Sequence, residues 1–554
     1  MADLIGTGYA DLLEVDRSSG DPLGLSAVSE RLYNTVFPGY NNVVRHIRVY
    51  SALCWMAAKV EESFETTPPA GARDAKKRQE QAFQKMELAL LWANEGVITG
   101  LNVAGAGRRF PTDNARQILA FSQWPGKATL RGATYYGPSL TNGLRFIDPK
   151  NWRCTSVGRA LGAAFATQLG GVTEHRWLTN VEADSATRAD IELVKPALTL
   201  RTPSEAEKAA FLAKFFPRML ADCVDEYGHP DGRNRWYAVH LVLNAIRILG
   251  KQGSSPDEIR AVMARGVTAD GTSVLRPGTE VVQAYWAVLQ LRQLQRLASE
   301  TLFSVVFDWV RRNSATGRSV GECIAELVAV AQPHYEDKGI RSTADLEARL
   351  KQIQGGHASL YLAAAAQGEP EADLFDYLGR VGSKESRLWG PLGCPAVAQA
   401  VDALSFCAVE VANLEATKWT DRNLKKFSTE RSSLTALSGA FRANRNHPVT
   451  EWIRTLLADW VFGRYYEVAI ERAQREGGTL QFAFSCEEAG LQLTGVQLEP
   501  FQPSFSIDKL YHTLLLCEQC GLVGSSGSSG EELFFLTAAG RDRVKSYEKD
   551  RVEN

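Results

Sequence analysis

The sequence of 554 residues predicts a mainly α, multidomain helical protein with a small α+β module at its C terminus. Three observations carry this. From Ser204 to about residue 475, apolar residues recur three and four apart in almost every segment, the spacing of one buried helical face. Between Thr279 and Arg312 neither Gly nor Pro interrupts that spacing, so one helix of about 50 Å is expected as the spine of a domain. Strand-like alternation appears only after Gly477-Gly478, where Leu480, Phe482 and Phe484 alternate with polar or small neighbours.

The length suffices for about three domains, each able to bury its own core. The expected division is 1–202, a helical domain with a loop-rich insertion; 203–476, a helical domain built on the 279–312 helix; and 477–554, the α+β module. Apolar residues make up 45% and charged residues 23%, which excludes wholesale disorder. The net charge of −2 gives no global pull towards nucleic acid or acidic lipid, so any such surface has to be local. The first residues lack a basic region ahead of an apolar core, and no window of 18 apolar residues occurs; neither a signal peptide nor a membrane span is expected. Nine cysteines are scattered at 54, 154, 223, 323, 394, 407, 486, 517 and 520. An odd, sparse set in a long chain reads as reduced thiols in the cytoplasm.

Taken in order, Val28, Leu32, Tyr33 and Val36 mark a helix stopped by Pro38-Gly39. A second helix is expected over Val43–Val60, then a surface loop over Glu61–Arg78, then a third helix to Glu95. Residues 100–152 read as a loop-rich insertion and Arg159–Gly170 as a helix of small residues. Further helices are expected at 204–226, 234–250, 256–265, 319–331, 343–366, 371–379, 394–413, 417–427, 430–443 and 449–475. Glu488–Leu493 can return as the hairpin partner of residues 480–484.

Several stretches invite chemistry. Cys517 and Cys520 are spaced to share a metal ion, but zinc needs about four ligands and only Cys486 and His512 lie near in sequence, so buried helix thiols are the preferred reading. His229, between Glu226 and Asp231, has the groups of a general base but equally those of an ordinary His-Pro-Asp-Gly turn. Ala104-Gly-Ala-Gly-Arg108-Arg109 suits an anion nest, without the further features of a dinucleotide or P-loop fingerprint. Asp190-Ile-Glu192-Leu-Val-Lys195 comes nearest to an acid-x-acid-Lys nuclease pattern, with the Lys one residue too far for alternation on a strand. No cofactor, no metal and no catalytic residue is expected.

Two basic stretches remain. On the second expected helix Arg45 and Arg48 share a face, with His46 nearby. Lys418, Arg422 and Lys426 are spaced i, i+4, i+8, a cationic stripe joined by Lys425, Arg431, Arg442 and Arg445. From 418 to 445 seven Lys/Arg stand against two acids, Asp421 and Glu430, an excess of five. This is the best candidate for phosphate-backbone contact.

Segment 506–544 resembles winged helix-turn-helix domains of the MarR and PadR type. It places Ser506–Gln519 before Cys-Gly-Leu-Val523, then a Gly/Ser tip, then Leu533-Phe-Phe-Leu-Thr-Ala-Ala-Gly-Arg541. The resemblance implies a helix that enters a groove and a wing that grips phosphate. Here the wing, Gly524–Gly530 followed by Glu531-Glu532, holds no cation, and residues 480–554 carry six Lys/Arg against eleven Asp/Glu, a net of −5. Such a surface repels a duplex, so a partner-docking or dimerising role is expected for it. The N-terminal stretch from Asp21-Pro-Leu-Gly-Leu to Cys54-Trp55 resembles the start of uncharacterised proteins of prokaryotic antiviral defence systems, which implies a context and no reaction.

The expectation that follows is a non-catalytic, nucleic-acid-associated component of an antiviral defence-type complex, cytoplasmic, with a protein partner or second copy on the C-terminal module. The alternatives are a metal-dependent nuclease with carboxylates from separate helices, and a transcriptional regulator.

Overall fold

Backbone donors and acceptors removed from water must pair within the chain, and helical spacing pairs them inside helices. The computed structural model is accordingly mainly helical, with three small antiparallel ladders among the described residues. It describes residues 21–94, 118–120, 130–131, 136–169, 178, 180, 183, 185–223, 232–250, 253–268, 270–354, 393–415, 432–476, 482–494, 501, 503, 509–527 and 532–549.

In chain order the first helices are α1 (Ser26–Val36), α2 (Ile47–Thr66) and α3 (Ala72–Ala93). The loop expected over Glu61–Arg78 is therefore mostly helix: α2 runs on past Val60 to Thr66, and only Thr67–Gly71, with Pro68-Pro69, breaks the run. Strand β1 (Ile118–Ala120) pairs antiparallel with β2 (Ser185–Thr187), on either side of α4 (Ser156–Leu169) in sequence. Next come α5 (Arg188–Leu198), α6 (Glu205–Phe215), α7 (Arg233–Leu249) and α8 (Pro256–Arg265). Reciprocal capping boxes start α5 (Thr187 with Asp190), α6 (Ser204 with Glu207) and α8 (Ser255 with Glu258, Pro256 in its first turn).

The long helix is α9 (Glu280–Asn313), within one residue of the expected bounds. It is followed by α10 (Val320–Glu336), α11 (Thr343–Gln354), α12 (Gly393–Glu415), α13 (Leu434–Ala443) and α14 (Val449–Thr455). A π-helical stretch, Leu456–Gly463, carries the chain into α15 (Arg464–Glu476). The hairpin β3 (Phe484–Glu487) and β4 (Gly490–Leu493) follows. The chain ends its described part with α16 (Leu510–Gln519), β5 (Val523–Ser526), β6 (Leu533–Leu536) and α17 (Ala538–Lys549). The helices expected at 371–379 and 417–427 lie outside the described residues.

Contacts group the described chain into two units along other lines than three consecutive spans. One takes the described residues of 33–268, 272–283 and 507–554. Its centre is α2 against α4, where a Cβ on Gly162 would sit 2.8 Å from the backbone nitrogen of Trp55, so only glycine permits this approach. Trp55 and Phe165 meet across the same seam, and Tyr50, Phe146, Phe211 and Phe215 continue the aromatic core. The C-terminal segment joins this unit because its partners are there. Ser254, between α7 and α8, exchanges both backbone hydrogen bonds with Phe534 of β6 at 2.9 Å, which makes it a third member beside β6–β5. Tyr547 of α17 packs on Trp236 and His240 of α7.

The Leu536-Thr-Ala-Ala-Gly-Arg541 turn has a mechanical explanation. Thr537 Oγ1 donates to Gly521 O at 2.6 Å and accepts from the Gly540 amide at 3.1 Å, and a Cβ at Gly540 would collide with Leu522 O. Arg541 Nη1 donates to Leu536 O at 2.7 Å.

The other unit takes the described residues of 21–32, 270–271 and 284–506. Its spine is α9, whose Trp286, Leu289, Leu297, Val305 and Trp309 are all buried as the spacing required. Trp309 Nε1 donates to Glu326 Oε2 of α10 at 2.7 Å and Cys407 Sγ of α12 to Leu291 O at 3.5 Å, while Phe484 stacks on Phe303 and on Tyr465 beside the later half of α9. No helix among the described residues is long and apolar enough to cross a membrane.

Candidate nucleic-acid interface

The predicted cations separate into three groups. Lys418, Arg422, Lys425, Lys426 and Arg431 lie outside the described residues, as do Arg108 and Arg109. Arg48 is buried, with 2% of its surface exposed. Its Nε lies 3.3 Å from Glu207 Oε1, its Nη1 donates to Thr199 O at 2.7 Å and its Nη2 to Ala197 O at 2.8 Å. The guanidinium also sits 5.1 Å from the centre of the Phe165 ring. Desolvation lowers its pKa and Glu207 works against that shift. Arg48 is therefore a core tie between α2, the end of α5 and α6, and its assignment to nucleic acid is withdrawn. Arg45 precedes α2 rather than riding on it, so the expected shared helical face of Arg45 and Arg48 does not form. Its backbone amide donates to Tyr136 Oη at 3.0 Å and its side chain is half-buried.

Arg442 and Arg445 are exposed. The first ends α13, with its Nε 3.3 Å from Ser438 O, and the second follows it and pairs with Glu347 of α11 at 2.9 Å. The backbone explains why α11 is so near. Ser342 and Pro448 form a bridge; Thr343 N donates to His447 O and Val449 N donates to Arg341 O, each at 3.0 Å. Two turns about a hundred residues apart in sequence are thus stitched together, and exposed Arg341 is placed beside the turn that carries Arg445 and His447. Asp345 holds the α11 start, accepting from Ser342 N at 2.9 Å and Arg341 N at 3.1 Å, bonds that keep its carboxyl below the usual carboxylate range.

Residues 341–354 and 442–455 carry six Lys/Arg (Arg341, Arg349, Lys351, Arg442, Arg445, Arg454) against three acids (Asp345, Glu347, Glu451), an excess of three. Glu347 accepts from both Lys351, at 2.5 Å, and Arg445. Exposed pairs of this kind are worth about 0–1 kcal/mol, so a phosphate can exchange for Glu347 at little cost. Sequence reading missed Arg341 and Arg349, because only the 342–448 bridge brings them to this edge.

The remaining candidates resolve differently. Asp190, Glu192 and Lys195 lie on a helix, not a strand; Asp190 is consumed in the α5 cap, and Lys195 pairs with Glu192 at 3.3 Å. Cys517 and Cys520 are buried, and burial pushes the Cys517 thiol up to about 12 and the Cys520 thiol upward too, against the thiolate that a metal requires. Glu226, His229 and Asp231 lie outside the described residues. One cluster had no sequence signal. His334 Nε2 is 3.5 Å from Asp402 Oδ2 and 3.1 Å from Lys338 Nζ, while Tyr335 Oη donates to Asp402 Oδ1 at 3.0 Å. The same hydroxyl proton is shared with Ala398 O, also at 3.0 Å, so the group ties α10 to α12.

No family model, curated protein or solved structure matches the chain.

Proposed function

We propose that this chain is a non-catalytic, nucleic-acid-associated component of an assembly of the prokaryotic antiviral defence type. Its contact with the phosphate backbone is made by the cationic edge of α11, α13 and α14, together with the basic stretch 418–431 that precedes α13. The observation that supports this reading is the backbone pairing of 341–343 with 447–449, which sets exposed Arg341 beside the turn that follows Arg442 and carries Arg445, so that two basic stretches from distant sequence meet.

In the same reading, the winged helix-turn-helix is assembled from two separated pieces. The first and second helices are α7 and α8, with Ser254 as the strand between them; α16, β5, β6 and α17 complete it, and Ser254 pairs with β6 as the first strand of such a domain would. About 240 residues separate Arg265 from Leu510, counting along the sequence. This reading leaves nucleic-acid contact to the cationic edge, because α16 is engaged on both sides: Leu510, His512, Thr513, Leu514, Leu516 and Cys517 are all buried.

The test is recovery of nucleic acid with the purified protein at low and high salt. Nucleic acid is expected to co-purify at low salt, to leave at high salt, and to be absent from the triple variant Arg341→Glu, Arg442→Glu, Arg445→Glu. Equal recovery by wild type and variant overturns the assignment.

A further inference from the structure

We propose that the contact between α16 and the segment Asn34–Ile47 is a proton-sensitive clasp, which acid opens to release α16 from that segment. Three attachments build it, all within one unit. At the start of α16, Lys509 Nζ donates to Asn34 Oδ1 at 2.7 Å and to Phe37 O at 3.0 Å, and it sits 5.4 Å from the Tyr40 ring centre. One turn on, Thr513 Oγ1 and Tyr40 Oη are hydrogen-bonded. At the far end, the Gln519 amide meets the chain just before α2.

The Gln519 contact dictates a protonation state. Its Oε1 accepts from Ile47 N at 2.9 Å, which turns Nε2 towards Arg45 O at 2.8 Å and His46 Nδ1 at 3.1 Å. An amide nitrogen only donates, so His46 Nδ1 has to be the unprotonated, accepting nitrogen. Protonation would set two donors against each other. The amide cannot flip to relieve this, because Ile47 N and Arg45 O both hold it.

Among the described residues, the groups that face the two bases are neutral or cationic. Around His46 stand Arg45 and Arg201, and the backbone amides of Arg45 and His46 both donate to Tyr136 Oη at 3.0 Å. Facing Lys509 are neutral acceptors and, from α7, Arg235. Among the described residues, two carboxylates on or beside α16 are directed elsewhere: Glu532 accepts from Tyr511 Oη, and Glu518 is bonded to Ser525. Among the described residues, no ion pair joins a carboxylate to His46 or Lys509. Burial, helped by those arginines, lowers His46 to about 4 and Lys509 to about 7.

The sign follows from linkage. Both groups bind a proton more readily when the clasp is open, so opening is favoured as pH falls. Lys509 acts from its free value down to about 7, and His46 from its free value down to about 4. Between about pH 8 and pH 5, Lys509 should shift the opening equilibrium by roughly tenfold and His46 by roughly thirtyfold.

Amide hydrogen exchange on the full chain, corrected for intrinsic rates, reads this directly. Protection of 510–519 is expected to drop by roughly 300-fold from about pH 8 to pH 5, while α13, which lies in the other unit and holds no histidine or carboxylate, stays steady. His46→Asn keeps an acceptor and loses the titration; Lys509→Met removes the buried amine. Each should flatten the pH dependence, and because the readout is a ratio between two pH values of one protein, uniform destabilisation cancels. Protection of 510–519 that is constant with pH, or a drop undiminished in both variants, overturns the clasp.

Discussion

Arg48 and Arg445 look alike in the sequence, each in a locally basic stretch near apolar residues, yet they occupy opposite environments. Arg48 spends all three guanidinium nitrogens inside the protein, on one carboxylate and two carbonyls. Arg445 leaves 59% of its side chain exposed and shares Glu347 with a lysine. Desolvation separates the two. A buried cation must have every partner in place, whereas an exposed one can trade its partner for a phosphate. Local charge in a sequence therefore does not fix the charge a surface offers: burial removes cations such as Arg48, and long-range pairing adds others such as Arg341.

The sharpest way to break this comparison is to cut the Arg48 tie. Glu207→Gln removes the carboxylate while leaving the cation buried, and it should cost about 3–5 kcal/mol in unfolding free energy by denaturant titration. Its effect on nucleic-acid recovery from folded protein should be nil. Gly162→Ala tests the seam that Arg48 helps hold: the added methyl meets the Trp55 backbone, and a loss of about 1–3 kcal/mol is expected by the same titration. Reversing Arg341, Arg442 and Arg445 together should weaken duplex or single-strand binding at least about tenfold, with unfolding free energy changed by less than about 1 kcal/mol.

A smaller effect sharpens the contrast from the acidic side. Glu87 of α3 is fully buried; its Oε1 accepts from Arg131 N and Nε, each at 2.9 Å, while its Oε2 has no hydrogen-bond partner among the described residues. Burial raises its pKa to about 7, against the pull of Arg131. A raised carboxyl pKa means the folded state holds the proton more tightly, so its contribution to stability is full below about 4.5 and declines as pH rises to about 7. Glu87→Gln should remove that decline, making the unfolding free energy flatter by about 1 kcal/mol or more across this range. An unchanged slope would show that Glu87 keeps its charge in the folded protein.

How much of this was legible depends on the range of the interactions involved. The α9 spine, α7 and α8 follow from local spacing, caps and Gly positions, and the structure agrees with the sequence to within one residue; the hairpin forms, but its first strand, Phe484–Glu487, begins where the expected strand 480–484 ends. The helical bounds of α2 and α3 were misjudged because Glu61–Arg78 is charged, and a solvated helix face has the same composition as a loop. Arg48 could not be separated from Arg45 by sequence, since its carboxylate lies 159 residues away at Glu207. The candidate edge was half visible: Arg442 and Arg445 stood out in a basic stretch, but Arg341 joins them only through the pairing of Ser342 with Pro448. The grouping of α16–α17 with α7 and α8 was invisible for the same reason, resting on single long-range contacts such as Ser254 with Phe534 and Tyr547 with Trp236.

The central claim is that the exposed edge, not the buried arginine, provides phosphate contact. The most direct test is the salt dependence of binding to a labelled oligonucleotide, comparing wild type with Arg341→Glu, Arg442→Glu, Arg445→Glu. If the edge neutralises phosphates, the slope of log Kobs against log salt becomes shallower in the variant by about 2 or more, since each phosphate no longer neutralised removes roughly 0.7–0.9 from the slope. Identical slopes for the two proteins would contradict it.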